Sequence, residues 1–383
     1  MNTTIKLKEL KQIISKISMG LEKSNVNPSA SWIELESDND IIVIKIANSD
    51  YFLKSHVKNY SENTDSIHAT IDSNTFVNIV AKLDVEDIEI HVENNALILT
   101  TKNNQYTFPI IKENGVDFVL KEIDFSIENE KNLTLTGKDL ESVADSNAQG
   151  FVDATFSKEI QQYIFVDNIG ALTFTDNIYI NNFSAPSEVE FSALLNVMQA
   201  KLLKMFSSSE VVNVTVGDSV PSGVKKIKLV SESPNIVLVL NTQSQQTVNQ
   251  FPAEKIRSLS VGSDNTHVVL NKSKLEKALN RLMVFDKKFD ITVLDYSKFV
   301  FEKNKVKLIS VKNHNFEILE YDFPCENVDE DFQYNAIIRF ADMLNQLKAI
   351  QSESIDVSFG NGKAIVINST IKQIIPEIKP RTK

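Results

Sequence analysis

Cysteine occurs once in the 383 residues, at Cys325, which rules out an internal disulfide framework and fits a reducing compartment. No apolar run approaches the length that spans a bilayer, and the opening MNTTIKLKEL lacks the apolar core of a signal peptide. The expected location is the cytoplasm, with no membrane partner. The five histidines, His56, His68, His91, His267 and His314, are scattered without metal-ligand spacing. There is no phosphate-cradling glycine loop and no GxSxG, and the sequence suggests no Cys–His pair. The acidic run Glu326-Asn327-Val328-Asp329-Glu330-Asp331 stands between a strand and the last helix and reads as a solvated loop rather than a magnesium site. No catalytic residue, cofactor or metal ligand is therefore expected, and the chain is not expected to be an enzyme.

What is present is the composition of a soluble globular protein, 42% hydrophobic and 24% charged, long enough for two or three domains. It is also repetitive. From Phe340, FADMLNQLKAIQSESIDVSFG places Phe340, Met343, Leu344 and Leu347 on one helical stripe and then alternates as a strand. From Phe76, FVNIVAKLDVEDIEIHVEN does the same with Phe76, Ile79, Val80 and Leu83. A third copy begins at Phe191-Ser192-Ala193-Leu194-Leu195 and runs as a helix to about Phe206, followed by VVNVTVGD. A switch from helical period to period two marks a supersecondary unit, and its recurrence marks an internal repeat. Each strand is followed by a turn and another strand, with Asn361-Gly362 a strong hairpin signal and Asn94-Asn95 a weaker one.

A second helix type also recurs, each copy after a short alternating strand: Leu10, Ile13, Ile14, Ile17; then Leu140, Val143, Ala144 with Asn147 in the last slot; then Leu275, Ala278, Leu279, Leu282. The order is helix, strands, helix, strands, three times over. The expected fold class is α+β, with two helices packed on antiparallel sheet in each of three tandem domains, residues 1–124, 125–257 and 258–383.

The formal charge of −11 is unevenly spread. Taking the helices as Ile5–Met19, Ser73–Leu83, Gly137–Gln149, Ser192–Phe206, Asn271–Phe285 and Ile337–Ile350, they hold 14 basic and 6 acidic residues, against 26 and 45 elsewhere. Lysine is a good helix former and aspartate favours turns, so propensity supplies part of this bias. Glutamate is about as good a helix former as lysine, yet these helices contain only Glu9, Glu141 and Glu276. The remaining explanation is that the solvent faces of the helices meet phosphates, in contacts that are independent of base sequence and sensitive to salt. The candidate residues are Lys11, Lys16, Lys82, Lys201, Lys204, Lys274, Lys277 and Arg281, all off the apolar stripes, with Lys23 just after the first helix.

This organisation resembles the bacterial-type β sliding clamp, the DNA polymerase III beta subunit family. Phe174-Thr175-Asp176-Asn177-Ile178-Tyr179 is similar to that family's ATDGHR stretch, Phe251-Pro252 to its Phe-Pro in the crossing from the second domain to the third, and Ile375-Pro376 to its C-terminal Met-Pro-Met. The resemblance implies three clamp-type domains per chain, a ring closed by two chains head to tail, and helices around a central hole that holds double-stranded DNA topologically. It implies a processivity factor that tethers a replicative polymerase. It also implies a pocket for short linear motifs of the polymerase and of a clamp loader. Thr175, Pro252 and Pro376 match the family's pocket residues in type, whereas Tyr179, Ile256 and Ile375 stand in corresponding positions with a different side chain. Ile256, Ile374 and Ile375 keep such a pocket apolar, able to bury a partner's Leu or Phe. The departures mark a divergent clamp, of the kind a phage or other mobile element carries.

The contrasting expectations are a repeat-built viral structural or scaffold protein with no DNA role, against which the charge segregation argues, and a hydrolase or nuclease whose site is assembled only in space.

Overall fold

The computed structural model describes residues 3–22, 27–61, 66–145, 159–174, 178–182, 189–220, 222–232, 235–258, 266–286, 296–310, 314–322, 333–348, 350, 352–360, 364–368 and 371–377. The helices are α1 (Leu7–Ile17), α2 (Ser73–Lys82), α3 (Gly137–Asp145), α4 (Val197–Leu202), α5 (Gln245–Val248), α6 (Ala253–Arg257), α7 (Lys272–Asp286) and α8 (Phe340–Lys348). Short 3-10 turns stand at Ser18–Gly20, Pro28–Ser31, Glu159–Gln162 and Leu203–Met205, and the paired strands among the described residues are antiparallel. Among the described residues α1, α2, α3, α7 and α8 follow directly on a strand, and α4 follows one across its N-cap Asn196. The fold is α+β with few helices on antiparallel sheet. Two compact units make it up, residues 1–141 with 185–248 and residues 142–184 with 249–383.

In the first unit one sheet has the strand order Ile127–Thr136, Val211–Ser219, Val224–Ser231, Ile236–Ser244, Tyr51–Lys58, Ile41–Ala47, Trp32–Asp38, His68–Asp72. Its middle joint pairs Val237 with Lys54, Leu238 with Leu53, Val239 with Phe52 and Leu240 with Tyr51. Chain segments almost two hundred residues apart thus share one hydrogen-bonded layer. The connection around residue 120 lies over that joint. Leu120 is buried with Ala47, Phe52 and Val239, and Phe118 meets Trp32 edge-on at 4.8 Å. The buried Glu34 carboxylate accepts from Leu120 N at 2.6 Å and from Lys45 Nζ at 3.1 Å. Lys45 Nζ also donates to Glu36 at 2.6 Å, and this bond holds the Glu36 carboxyl below its usual range. A buried acid is tolerable because both its oxygens are engaged.

A second, four-stranded sheet in this unit has the order Thr3–Lys6, Asp87–Glu93, Ala96–Thr100, Gln105–Pro109. Its central hairpin turns at Asn94 and Asn95, which have φ of 50° and 62°, the left-handed values that a tight two-residue turn requires. The stripe Leu10, Ile13, Ile14, Ile17 of α1 is buried, as are Phe76 and Val80 of α2. Asp72 caps α2 by accepting from Asn74 N at 3.0 Å.

The third helix of the repeat is shorter than the sequence suggests. Ser192–Leu195 is a strand, and Asn196 starts α4 with a capping box in which its side chain and that of Gln199 satisfy each other's backbone N–H groups. Ser-Ala-Leu-Leu is a short buried run, and periodicity cannot separate helix from strand over so few residues. Ile5 likewise belongs to strand Thr3–Lys6 and Ile337 to strand Gln333–Arg339, so α1 begins at Leu7 and α8 at Phe340. The sequence-derived end of the middle helix beyond Asp145, with Asn147, lies outside the described residues, as do Asn361-Gly362, the run 326–331 and Cys325.

In the second unit one sheet carries, in order, Ile164–Asp167, Gly170–Phe174, Ile178–Asn182, Ile371–Pro376, Ala364–Asn368, Ser354–Gly360 and Thr266–Asn271. A four-stranded sheet has the order Phe316–Glu320, Lys305–Ser310, Tyr296–Glu302, Gln333–Arg339. Helices α7 and α8 fill the space between with Leu275, Ala278, Leu279, Leu282, Phe340, Met343 and Leu347, against Phe299, Phe301, Ala336, Ile338, Ile355 and Val357. Each such Leu, Ile, Val, Met or Phe side chain contributes about 1.5–3 kcal/mol by leaving water.

Gly137, at the start of α3, is fixed by close approach: its N–H donates to Glu210 O at 2.8 Å, and a Cβ there would lie 1.9 Å from Ser207 O. Gly137→Ala is expected to lower stability by about 1–3 kcal/mol through forced backbone displacement. Chemical denaturation measures this, and a wild-type midpoint would contradict the contact.

Candidate nucleic-acid interface and peptide pocket

The basic residues of the helices fall into two groups. Lys82, Lys201, Lys274 and Lys277 are exposed and have no ion-pair partner among the described residues. Lys204 is exposed in the 3-10 turn Leu203–Met205 that continues α4. Lys82 and Lys201 lie in the last turns of their helices, where a cation also complements the partial negative charge of the helix end.

The second group is held by the protein itself. Lys11 Nζ donates to Leu83 O, just past the end of α2. Lys16 Nζ reaches Glu210 Oε1 at 2.6 Å, in a pair whose side chains are 18% and 11% exposed. Arg281 forms a fork with Glu317 at 2.8 and 2.9 Å. Because of that fork the Glu317 carboxyl is held below its usual range. Charge on a helix face is visible in sequence, but a neutralising partner 36 or 194 residues away is not. Lys23 lies outside the described residues. Exposed Lys8, Lys138 and Lys348 stand on the same helices and carry the same signal, charge off the apolar stripe.

The sequence-derived pocket residues all belong to the second unit. Strand Ile178–Asn182 pairs with Ile371–Pro376, bringing Ile178 opposite Ile374 and Tyr179 opposite Gln373. Pro376 pairs with Ala364 on the far side of that strand. Ile375 is buried in the core with α7 and α8 rather than facing an open groove. Pro252 is half-buried and precedes α6 as its N-cap, and Ile256 of α6 is buried. Thr175 lies outside the described residues.

Helix α6 rests on strand Ile164–Asp167. Phe251 stacks on Phe165 at 4.9 Å, and Arg257 grips Asp167 with two bonds of 2.7 Å. Phe251 was singled out in the sequence together with Pro252, whereas Phe165, Asp167 and Arg257 were not, because 90 residues separate the two ends of the ion pair.

Among the described residues no cluster of three or more His, Cys, Asp or Glu side chains could hold a metal ion, and no helix is long and apolar enough to cross a membrane.

Residues 1–117 match the family model of the DNA polymerase III beta subunit, N-terminal domain. Over the full length, the DNA polymerase III beta subunit of Thermotoga maritima superposes with a TM-score of 0.78, at 17% identity and over 99% of each chain. The chain has the bacterial beta-clamp fold. The sliding clamp of Bacillus subtilis matches with a TM-score of 0.77 at 15% identity, over 99% of each chain. The Helicobacter pylori beta clamp bound to a DNA ligase peptide matches with a TM-score of 0.73 at 14% identity, over 99% of this chain and all of that one. No curated protein sequence matches. At such identities the likeness is one of fold. Two of the eight described helix-face candidates, Lys16 and Arg281, are consumed by internal ion pairs in this clamp-fold chain, and Lys11 by a backbone carbonyl.

The Lys16–Glu210 pair makes a prediction about pH. Burial pushes the Glu210 pKa up, but hydrogen bonds from Lys16 and Ser207 and the Lys16 charge outweigh it and hold the carboxyl below its usual 4.5. A lowered folded-state pKa contributes stability that is present above the unfolded value and lost as pH falls through the folded one. Glu210→Gln is therefore expected to be less stable than wild type at about pH 6, with the two converging towards about pH 3. Urea melts across this range test it; parallel curves would contradict the role of the pair.

Proposed function

We propose that this chain is a DNA sliding clamp, a non-catalytic ring that encircles duplex DNA and tethers a replicative polymerase through a peptide-binding pocket. The observation that carries the reading is the clamp fold over 99% of the chain, combined with exposed lysines on its helix faces. In this reading residues 1–124, 125–257 and 258–383 are three clamp domains, two chains close head to tail, and α1, α2, α3, α4, α7 and α8 of each line the hole. The ring works in the cytoplasm, where DNA and polymerase are found.

Ring closure has support in the sheet edges. Among the described residues, strand Gln105–Pro109 ends one four-stranded sheet and strand Phe316–Glu320 ends another. On the latter, Phe316 and Ile318 are 54% and 48% exposed. An unpaired edge bearing apolar side chains templates aggregation unless something covers it, and the facing edge of a second copy does so within a closed symmetry.

Lys82, Lys201, Lys274 and Lys277 supply the main phosphate contacts, with Lys204 and Lys23 beside them. Lys11, Lys16 and Arg281 contribute less, because each already has an internal partner. With the helix bounds observed, the six helical segments including the turn to Met205 keep 12 basic residues against 7 acidic ones, so the bias survives the shorter helices. A related fold holds a DNA ligase peptide, and the corresponding guest here is a short motif of a polymerase or clamp loader. It would bind around Thr175, Tyr179, Pro252, Ile256, Ile374 and Pro376, with Ile375 backing the pocket from the core.

Lys274→Glu with Lys277→Glu tests the reading. Light scattering is expected to give twice the 43.1 kDa chain mass for wild type and variant alike. The variant's duplex affinity is expected to fall, with a salt dependence shallower by about two units. A monomer at all concentrations, or an unchanged salt slope, would contradict the proposal.

A further inference from the structure

Helix α6 has only five residues, and its N-cap Pro252 provides no side-chain hydrogen bond. A helix that short does not hold itself in water, so its place depends on tertiary contacts. Three contacts hold it. Ile256 is buried. Phe165 is covered by the stacked ring of Phe251, interplanar angle 17°, and approached by the Arg257 guanidinium carbon at 6.0 Å. The Arg257 fork then closes on Asp167, with side chains 22% and 10% exposed.

Asp167 is itself immobilised. Its Oδ1 accepts from Ile169 N at 2.9 Å and from Gly170 N at 3.0 Å, so the turn into strand Gly170–Phe174 fixes the carboxylate before Arg257 reaches it. That strand pairs with Ile178–Asn182, which pairs with Ile371–Pro376. A continuous hydrogen-bonded path therefore runs from Arg257 at the end of α6 to Tyr179 and Ile374. A planar, bidentate pair carries orientation as well as attraction, which a point charge does not.

We propose that Asp167 and Arg257 are positioning residues for peptide capture: their fork locks α6, with Pro252 and Ile256, in register with the strands that carry Tyr179 and Ile374. The inference rests on the pocket reading above. The lock prepares the apolar wall before a partner arrives, so the ordering cost is met on folding rather than on binding. It also engages the Arg257 guanidinium within the protein, so that cation supports the pocket wall rather than meeting the guest.

The probe is the tightest wild-type binder from a library of fluorescein-labelled decapeptides, each carrying one Leu and one Phe, read by anisotropy on the full-length protein. Asp167→Asn keeps an oxygen for the Ile169 and Gly170 N–H groups and removes the charge; Arg257→Gln removes the other half. Each is expected to raise the peptide Kd about tenfold, and the double variant no further than the weaker-binding single variant, since one coupled element is lost. Amide exchange of residues 253–257 in the unliganded protein is expected to accelerate in all three. Affinity within about twofold of wild type in both single variants, whatever happens to the melting temperature, would overturn the inference and leave the pocket reading intact. Independent, additive losses would overturn it as well. If no library peptide binds wild type, the pocket reading itself falls, and this inference with it.

Discussion

Antiparallel pairing between distant strands is the constraint on which the rest of this molecule depends. Leu238 opposite Leu53 in one unit, and Ile178 opposite Ile374 in the other, each join segments separated by almost two hundred residues. A shift of one residue in either register would turn every buried side chain of that strand to the opposite face. Long-range joints of this kind carry a large loop-closure cost, and the connection around Leu120 offsets part of it by covering one joint with Phe118 and Leu120 and by engaging the buried Glu34.

Once the sheets are set, the helices have one way to lie. Their apolar stripes pack inward and their polar faces remain for solvent. Charge on those faces is neither uniform nor wholly available. Lys16 and Arg281 are long cations at well-defined sites whose partners, Glu210 and Glu317, come from loop and strand. Such pairs fix how a helix sits against its neighbours, and they reduce the positive potential offered to a polyanion. The lysines left exposed, among them Lys82, Lys201, Lys274 and Lys277, are point charges on flexible stems, suited to contacts that slide rather than to contacts that specify.

Much of this was legible in the sequence, and the limits of legibility have physical causes. The stripe Leu275, Ala278, Leu279, Leu282 announced α7 because four buried positions at helical spacing leave no good alternative. Asn94-Asn95 announced a tight turn because both residues tolerate positive φ. Ser192–Leu195 was misread as helix because four apolar-rich residues fit either period, and Asn196 marks the true start through its capping box with Gln199. At the candidate pocket, Pro252 and Ile256 could be singled out one by one. The fork that anchors them could not, since six of the described strands lie between Asp167 and Arg257 and the two meet only once the chain has folded.

On the proposed reading the protein holds DNA by enclosing it rather than by gripping it. The most direct test loads the protein on a nicked circular duplex, with whatever opening factor loading requires, then linearises the DNA and follows retention by gel filtration in moderate salt. Enclosure predicts long retention on the circle and rapid loss once an end is created. Equal retention on circular and linear DNA would contradict it.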